Sequence, residues 1–235
     1  MAAAIILAGG LGTRLAETVP HLPKTLAPIQ GTAFLQLLFQ QLNQCPHISK
    51  IVLALGHRAE AIEHFSKQGK TSIPIEFSIE TSPLGTGGAL LHALSKTPQE
   101  TLLVLNGDSY FDLDLSQFFS FHKEKKADFS IACCYMQDTS RYGRIEIDAP
   151  TQRVLSFREK SNNAPSGWIN AGLYLIKRSV LGSFSPGFSS LEKDFFPRLV
   201  QNQLFAYCHE GEFIDIGTPE SYQKAQEILK PWIPL

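Results

Sequence analysis

The chain has 235 residues, which is enough for one domain with a sizeable core, and its 43% hydrophobic content is ordinary for a globular protein. Its 21 Lys and Arg residues nearly balance 22 Asp and Glu residues, which argues against nucleic acid or an anionic membrane as a partner. An anionic ligand would therefore be held by a few placed cations. The four cysteines show no metal-ligand spacing, and we expect reduced, buried thiols in a cytoplasmic protein.

The first half of the sequence alternates predicted strands and helices. Its opening, "MAAAIIL", is too short for a signal peptide or a membrane span and predicts a buried strand. The apolar runs predict strands over residues 3–7, 50–55, 73–79, 101–106 and 128–136, and the helical periodicity predicts helices over residues 33–44, 58–68, 86–96 and 115–126. This alternation predicts a mainly parallel sheet with helices on both faces.

The pattern changes after about residue 140 and becomes richer in strands. We predict a hairpin of residues 143–148 and 153–159, strands over 168–177, 204–209 and 212–217, and helices over 191–201 and 218–229. Thr218 is the expected N-cap of the last helix, with Pro219 and Glu220 in its first turn. The histidines show no ligand spacing, and we expect all of them at surface or half-buried positions: His21, His47, His57, His64, His92, His122 and His209.

A glycine-rich stretch, "IILAGGLGTRL", follows the first predicted strand and is itself followed by "PKTLAP". It does not match the dinucleotide fingerprint, because Leu15 stands where the third glycine belongs, and it lacks the Gly-Lys pair of a P-loop. Glycines 9, 10 and 12 would let backbone N–H groups approach an anion. Arg14 and Lys24 would add positive charge suited to phosphate. The alternative is a tight surface turn with two solvated cations.

Six sequence blocks occur together in one order along the chain. They are "LAGGLGTRL…LPKTLAPI", "ETSPLGTGGAL", "VLNGDSYF", "SFREK", "NAGLYLI" and "FIDIGTPESY". Taken together they resemble the sugar-1-phosphate nucleotidylyltransferases, which convert a nucleoside triphosphate and a sugar 1-phosphate into a nucleotide-sugar and pyrophosphate.

The resemblance implies an α/β fold, a Rossmann-like three-layer sandwich with a mainly parallel mixed sheet, similar to glycosyltransferase-A folds. We expect a single domain over residues 1–235, with a nucleotide-binding half over about 1–136 and a sugar-phosphate-binding half over 137–235. Because the sequence ends soon after its last block, we expect no C-terminal β-helix of the kind that some relatives carry.

The same resemblance implies roles for the nucleotide-binding residues. Arg14 would hold the departing end of the triphosphate, and Lys24 would bridge the reacting phosphates. Phosphate and nucleotide contacts are expected at Leu7, Ala8, Gly9, Gly10, Gly12 and Thr13. The nucleobase and ribose would lie against Gly85, Thr86 and Gly87, with Glu80 in the approach. Helix capping is an alternative role for Thr86.

Two carboxylates follow predicted strands and are candidate metal ligands. Asp108 ends the block "VLNGD", and Asp215 lies in "FIDIG". Mg²⁺ takes one or two carboxylates together with substrate phosphates and waters, and this pair fits that need. A turn-forming role is the alternative for Asp108. Asp112 and Asp114 are expected to serve in a turn and a helix cap.

The sugar-phosphate site is expected in the second half of the chain. Glu159 and Lys160 resemble the pair that meets the sugar phosphate, and Asn170 and Gly172 would contact sugar hydroxyls or leave them room. "RYG" at 141–143 adds Tyr142 and Gly143 to the pocket, although an exposed Glu-Lys pair is more often a solvated strand end.

Within this resemblance, the second half is most similar to the branch that uses GTP and D-glycero-α-D-manno-heptose 1-phosphate to make precursors of surface polysaccharides. Enzymes for mannose, glucose or N-acetylmuramate 1-phosphate share the same core blocks. A catalytically silent nucleotide-sugar sensor is a further alternative, but it would be expected to lack some of Arg14, Lys24, Asp108 and Asp215. A dinucleotide-dependent oxidoreductase is disfavoured by Leu15.

Overall fold

A nine-stranded mixed sheet is the centre of the computed structural model, which describes residues 1–158, 165–200 and 204–233. The strands are β1 (Ala2–Ala8), β2 (Pro28–Ile29), β3 (Thr32–Ala33), β4 (Ile48–Leu55), β5 (Ile75–Ile79), β6 (Thr101–Asn106), β7 (Ser109–Phe111), β8 (Phe129–Met136), β9 (Arg144–Asp148), β10 (Arg153–Arg158), β11 (Gly167–Lys177), β12 (Leu204–His209) and β13 (Phe213–Asp215). The α-helices are α1 (Phe34–Asn43), α2 (Ala59–Ser66), α3 (Gly85–Ala93), α4 (Leu115–Glu124), α5 (Arg178–Leu181), α6 (Phe196–Leu199) and α7 (Pro219–Ile228).

The order of strands in the large sheet is β5-β4-β1-β6-β11-β8-β12-β10-β9. Strands β5, β4, β1 and β6 are mutually parallel, β11 runs against both β6 and β8, and β12 is parallel to β8. The predicted hairpin is the antiparallel pair β9 and β10. The expected mixed α/β sheet is therefore confirmed, with its parallel pairs concentrated in the first half of the chain.

Helices cover both faces of this sheet, and its central strands are therefore buried on both sides. Along β1, Ala4 and Ile6 join one hydrophobic core, and the intervening Ala3 and Ile5 join the other. The first core receives side chains from α1, α2, α4 and α7, and the second receives them from α3, α5 and α6. This alternation is the period-2 geometry of a strand between two helical layers.

Most predicted helix ends agree with the structure, and their caps explain where they begin. The side chain of Asp114 accepts hydrogen bonds from Ser116 N and Gln117 N at the start of α4. Thr218 forms a capping box with Ser221 at the start of α7. The helix predicted over 191–201 begins as one wide π-helical turn, Leu191–Phe195, and continues as α6.

One expectation about the histidines is wrong. His122 on α4 is only 7% exposed, and its Nδ1 lies 2.8 Å from the hydroxyl of Ser130, which is fully buried. Burial lowers the pKa of His122 to about 4, and the nearby charge of Lys177 adds to that effect. The helical face of α4 therefore buries a neutral imidazole instead of presenting it to water.

Within the described ranges, none of the helices combines the length and apolar character needed to cross a membrane.

Candidate active site

A cleft of about 770 Å³ opens where the parallel strands end. The segments that follow β1, β4, β5 and β6 all contribute to its lining, because the carboxyl ends of parallel strands lie along one edge of a sheet. The predicted residues found in its lining are Leu7, Ala8, Gly9, Gly10, Gly12, Thr13, Arg14, Lys24, Glu80, Gly85, Thr86 and Asp108. The structure thus brings the predicted nucleotide-binding residues together.

The glycine-rich loop after β1 carries two of these features. Gly12 has a positive φ of 63° and its carbonyl accepts from Leu15 N at 3.0 Å, which turns the chain back on itself. Leu15 is 2% exposed and anchors the end of this turn in the core. Arg14 remains exposed at the cleft, so its guanidinium is available to a ligand.

Lys24 lies on the cleft wall opposite the end of β6. It begins the short 3-10 helix Lys24–Leu26, in which Thr25 and Leu26 are buried, so the backbone beneath it is fixed. Its side chain is 13% exposed, and its ammonium donates to Oδ2 of Asp108 at 2.5 Å. This ion pair joins a predicted phosphate-binding cation to a predicted metal ligand.

The carboxylate of Glu80 lies across two glycines. A Cβ at Gly9 would come within 2.9 Å of its Oε1, and one at Gly56 within 2.6 Å. Leu84 N donates to its other oxygen at 3.2 Å. Burial raises the pKa of this carboxyl against the lowering effect of that hydrogen bond. Glycine at both positions therefore makes room for a carboxylate at the edge of the cleft.

Asp215 lies in the neighbouring small sheet, in which β13 pairs with β7 and Asp215 is opposite Ser109, the residue after Asp108. It is not part of the cleft lining, but Gly217 is. A Cβ on Gly217 would lie 2.6 Å from Oδ1 of Asp215 and 3.2 Å from Nζ of Lys24. Lys24 is thus paired with Asp108 and lies next to Gly217, whose backbone N–H donates to Asp215 just outside the lining.

Asp215 is held by a set of donors. Arg141 reaches its two oxygens at 3.2 and 3.0 Å, Tyr142 donates its hydroxyl to it, and Gly217 N donates at 2.8 Å. Burial and the bond to Asp215 raise the pKa of Tyr142 above its ordinary value. Tyr142, predicted as a sugar-pocket residue, is thus placed as a partner of Asp215.

Two further predicted sugar-site residues, Asn170 and Gly172, lie within β11, and Gly172 packs against Asn106 at the end of β6. Asn170 donates to the Tyr174 hydroxyl at 2.8 Å and accepts from Gly172 N at 2.9 Å. Gly172 has a φ of 76°, and a Cβ there would lie 2.8 Å from Nδ2 of Asn106. These contacts stabilise an irregularity in β11, where its register with β8 shifts.

The three other predicted sugar-site residues are Gly143, Glu159 and Lys160. Gly143 lies outside the cleft lining. A Cβ at this position would be 2.9 Å from the carbonyl oxygen of Arg158, so the two backbones pack closely. Glu159 and Lys160 fall outside the described residues.

The loop before α3 packs against the segment that precedes α6. Thr86 does not cap α3, whose N-cap is Leu84, and its hydroxyl instead accepts from Leu191 N at 2.9 Å. Gly87 lies outside the cleft lining, and a Cβ there would meet Phe195 at 2.6 Å. The capping alternative for Thr86 is therefore wrong.

Several lining residues were missed in the sequence: Gly56, His57, Ser82, Pro83, Asn106, Phe188 and Glu192. Gly56 could have been found, because it follows a buried parallel strand just as Gly9 does. Phe188 and Glu192 carry no comparable signal, since they come from a distant segment that reaches the cleft only through tertiary packing.

Of the two candidate metal ligands, Asp108 lines the cleft and Asp215 lies behind Gly217. Among the residues that the structure describes, no group of three or more His, Cys, Asp or Glu side chains is placed to hold a metal ion. A cation that takes one or two carboxylates and completes its shell from substrate phosphates and water fits this donor set.

Comparison with known proteins gives one consistent result. Residues 3–230 match the family model described as nucleotidyl transferase. The chain is 39% identical to the D-glycero-alpha-D-manno-heptose 1-phosphate guanylyltransferase of Aneurinibacillus thermoaerophilus, over 98% of this chain and 99% of that protein. It is 37% identical to the enzyme of the same name from Campylobacter jejuni, over 93% and 96%. The crystal structure of HddC from Yersinia pseudotuberculosis complexed with GMP-PN superposes with a TM-score of 0.85 at 34% identity, covering 98% of this chain and 100% of that one.

Proposed function

The chain belongs to the nucleotidyl transferase family, and we propose that it joins GTP to D-glycero-α-D-manno-heptose 1-phosphate, giving a GDP-heptose and pyrophosphate. The observation that carries this proposal is the cleft lined by Arg14, Lys24 and Asp108, in which Lys24 is paired with Asp108. Asp215 lies next to this cleft, behind Gly217. The names of the two relatives at 39% and 37% identity support the choice of substrates.

The reaction needs two polyanions to meet and pyrophosphate to leave. A phosphate oxygen of the sugar attacks the α-phosphorus in line, so positioning and charge stabilisation supply most of the catalysis. We assign the departing phosphates to Arg14 and to backbone N–H groups of Gly9 to Thr13. Lys24, which lines the cleft and is paired with Asp108, is assigned to the phosphates that react.

Guanine recognition is assigned to Glu80. An ionised carboxylate only accepts hydrogen bonds, and the Watson–Crick edge of guanine offers N–H donors that adenine and the pyrimidines do not present in the same arrangement. Glu80 lines the cleft, with Oε1 beside Gly9 and Gly56 and Oε2 accepting from Leu84 N. A wrong base would leave this partly buried carboxylate without its donors, which disfavours that base.

Mg²⁺ is the proposed cofactor, with Asp108 and Asp215 as its protein ligands. When bound, the ion would offset phosphate charge at the reacting centre. Lys24 and Arg141 now neutralise those two carboxylates, so the chain itself supplies counter-charges that keep the pair stable side by side. Tyr142 and Arg141 orient Asp215 toward Gly217 and the cleft.

The sugar phosphate is assigned to the second half of the chain, with Tyr142, Gly143, Glu159, Lys160, Asn170 and Gly172 as its proposed contacts. We further propose that the protein works in the cytoplasm, where its four free cysteines would stay reduced. Residues 1–235 are proposed to act as one domain, because β8 from the first half lies between β11 and β12 from the second.

A turnover panel tests the proposed substrates. GTP, ATP, UTP, CTP and dTTP are each combined with heptose, mannose, glucose and N-acetylmuramate 1-phosphate, and pyrophosphate release is measured with and without a chelator. We expect the highest kcat/KM for GTP with the heptose, and loss of turnover in chelator. Mannose 1-phosphate should be poorer by about 10–200-fold, since one hydroxymethyl group gives only limited discrimination.

The panel separates the parts of the proposal. A higher kcat/KM for another nucleotide contradicts the guanylyl assignment, and a preference for another sugar contradicts the heptose assignment. Full turnover in excess chelator contradicts Mg²⁺. A Glu80→Gln variant should lose preference for GTP over ATP, whereas Glu124→Gln, a change on the surface of α4, should not.

A further inference from the structure

One wall of the cleft carries an exposed aromatic ring. Phe188 is 77% exposed and lines the cleft. It belongs to the loop of residues 184–190 that follows α5, which we call the Phe188 loop. The other aromatic residue of this loop, Phe184, is 9% exposed and stacks on Phe195 with ring centroids 3.8 Å apart. The loop therefore buries one ring in the core and presents the other to the cleft.

Backbone hydrogen bonds hold the Phe188 loop against the start of α3. Ser189 N donates to the carbonyl of Leu84 at 2.9 Å, and Ser189 O accepts from Gly87 N at 2.9 Å. Glycine allows this close approach, because a Cβ at Gly85 would lie 2.4 Å from the carbonyl oxygen of Ser189. The position of the exposed ring is therefore built into the fold.

Leu84 connects this ring to the carboxylate that is assigned to guanine. Its carbonyl accepts from Ser189, the residue after Phe188, and its own N–H donates to Oε2 of Glu80 at 3.2 Å. The ring itself lies against Gly85, where a Cβ would be 3.5 Å from Phe188 Cε2. Phe188 is therefore placed at the Glu80 end of the cleft.

The charged groups of the cleft indicate which part of a nucleotide would meet the ring. Among the lining residues that the structure describes, the lysine and the arginine are Lys24 and Arg14, and both belong to the segment after β1. The wall around Phe188 adds instead the exposed carboxylate of Glu192, which would repel a phosphate. A nucleobase is flat and uncharged and has an aromatic face, so it suits this wall better than the triphosphate does.

We propose that Phe188 stacks on the face of the guanine base whose edge is bound by Glu80. This inference rests on the proposed function, and it adds to the nucleotide site a residue from the half of the chain that is assigned to the sugar phosphate. Every base has an aromatic face, so stacking adds affinity without selecting a base, whereas hydrogen bonds to Glu80 select guanine. The ring thus determines affinity, and the carboxylate determines specificity.

Phe188→Ala tests the ring by calorimetry. We expect the Kd of a non-hydrolysable GTP analogue to rise by about 5–100-fold, the usual effect of removing one base–aromatic contact. The Kd of inorganic tripolyphosphate, which has no base, should stay within about twofold of wild type. Leu155→Ala truncates an apolar residue that is 57% exposed on β10, and as the matched control it should bind both ligands as wild type does.

The kinetic parameters separate the ring from the carboxylate. The base is remote from the reacting phosphorus, so Phe188→Ala should raise the KM for GTP more than it lowers kcat, and the KM for heptose 1-phosphate should stay near that of wild type. Its preference for GTP over ATP in kcat/KM should be kept within about twofold, whereas Glu80→Gln should reduce that preference.

A tryptophan at the same position reports stacking directly. Phe188→Trp should keep the affinity for the GTP analogue, and the fluorescence of the added tryptophan, measured against that of wild type, should fall as the analogue binds. Because the side chain at this position is exposed, urea denaturation should show a wild-type free energy of unfolding for both variants. An added fluorescence that does not change at saturating analogue contradicts stacking.

The outcomes separate this ring from the function that it serves. A wild-type protein that binds the GTP analogue but releases no pyrophosphate with any sugar 1-phosphate contradicts the proposed function, while weaker binding of the analogue by Phe188→Ala would still support the ring. Normal turnover with an unchanged Kd for the analogue in Phe188→Ala contradicts the ring alone. A raised KM for the sugar phosphate alone, or an equal loss of affinity for tripolyphosphate, would show that Phe188 does not act through the base and would overturn the assignment.

Discussion

Asp108 and Asp215 lie at the ends of different strands beside the same cleft, but their surroundings differ. The side chain of Asp108 is 40% exposed, and it accepts from Lys24 and from the adjacent Ser109 hydroxyl. That of Asp215 is 15% exposed and accepts from a guanidinium, a phenol and a backbone N–H. One carboxylate is therefore open to the cleft, and the other is fixed by its neighbours.

This difference means that one carboxylate is held in place before a ligand binds, while the other remains accessible from the cleft. The donors around Asp215 orient it before any ligand arrives, which lowers the entropy lost on binding. Asp108 has a single cationic partner, Lys24, which lines the cleft and is assigned to the reacting phosphates. Asp215 is expected to contribute to folding stability as well as activity, and Asp108 mainly to activity.

The largest expected effect comes from neutralising either carboxylate. Asp108→Asn and Asp215→Asn should each lower kcat by about 10³-fold, roughly 4 kcal/mol of transition-state stabilisation. Only Asp215→Asn should also lower the free energy of unfolding, by about 1–3 kcal/mol, because Arg141 and Tyr142 lose a charged partner. Steady-state kinetics and urea denaturation measure the two quantities.

Asp138→Asn is the control for this pair, since Asp138 is an exposed carboxylate that accepts from Ser140 N away from the cleft. Equal losses of stability in the two site variants would remove the distinction between them. An Asp108→Asn enzyme with wild-type turnover would show that Asp108 has no part in the reaction.

The next largest effect is expected from removing Lys24, the partner of Asp108. Lys24→Ala should lower kcat by about 10²–10³-fold, because one preorganised cation at a developing charge is lost, while the KM for GTP changes less. The exposed Lys230→Ala near the C-terminus is the charge-matched control. A normal kcat with only a raised KM would mean that Lys24 binds ground state and transition state equally.

Much of this fold could be predicted because its strands are buried on both faces. The unbroken apolar runs of β1, β4 and β6 and the Thr218 cap leave few alternatives. The family resemblance read from the six blocks is also confirmed. The π-helical turn before α6 could not be predicted, since the apolar spacing of Leu191, Phe195 and Leu199 is equally that of an ordinary α-helix.

The site was predictable where ligand-facing residues follow strands. Asp108, Glu80 and the glycine loop come directly after β6, β5 and β1. The role of Arg141 as a partner of Asp215 could not be read from the sequence, because 74 positions separate them. Phe188 was missed for the same reason: only the fold brings its loop to the start of α3.

The dependence of folding stability on pH includes a contribution from His122, which must be separated from that of the two carboxylates. The folded pKa of His122 is about 4, below the 6.5 of an ordinary imidazole, so protons bind the unfolded chain first. This histidine therefore contributes full stability above pH 6.5, and that contribution, about 3 kcal/mol at most, is lost as the pH falls from 6.5 toward 4. Urea denaturation at several pH values should show a flatter profile for His122→Gln.

His92→Gln is the matched control, because His92 makes the same contact with a serine hydroxyl, Ser78, but is exposed. Its pH profile of stability should follow that of wild type. An unchanged profile in His122→Gln would assign the acid sensitivity to other groups, and the Asp215 network would then be the first to test.

The smallest effect expected is also the most selective, because Tyr142→Phe removes one donor from Asp215 and none from Asp108. Loss of a hydrogen bond that orients a metal ligand lowers activity by about 10–100-fold, and we expect the lower end because Arg141 still holds the carboxylate. Tyr207→Phe, which removes a hydroxyl contact with Gln117 near α4, should leave activity unchanged. The split between parameters decides which role Tyr142 has. If Tyr142 acts through Asp215, we expect a lower kcat, a higher Mg²⁺ concentration for half-maximal activity and an unchanged KM for the sugar phosphate. A raised KM for the sugar phosphate alone would mean that its hydroxyl contacts the sugar directly.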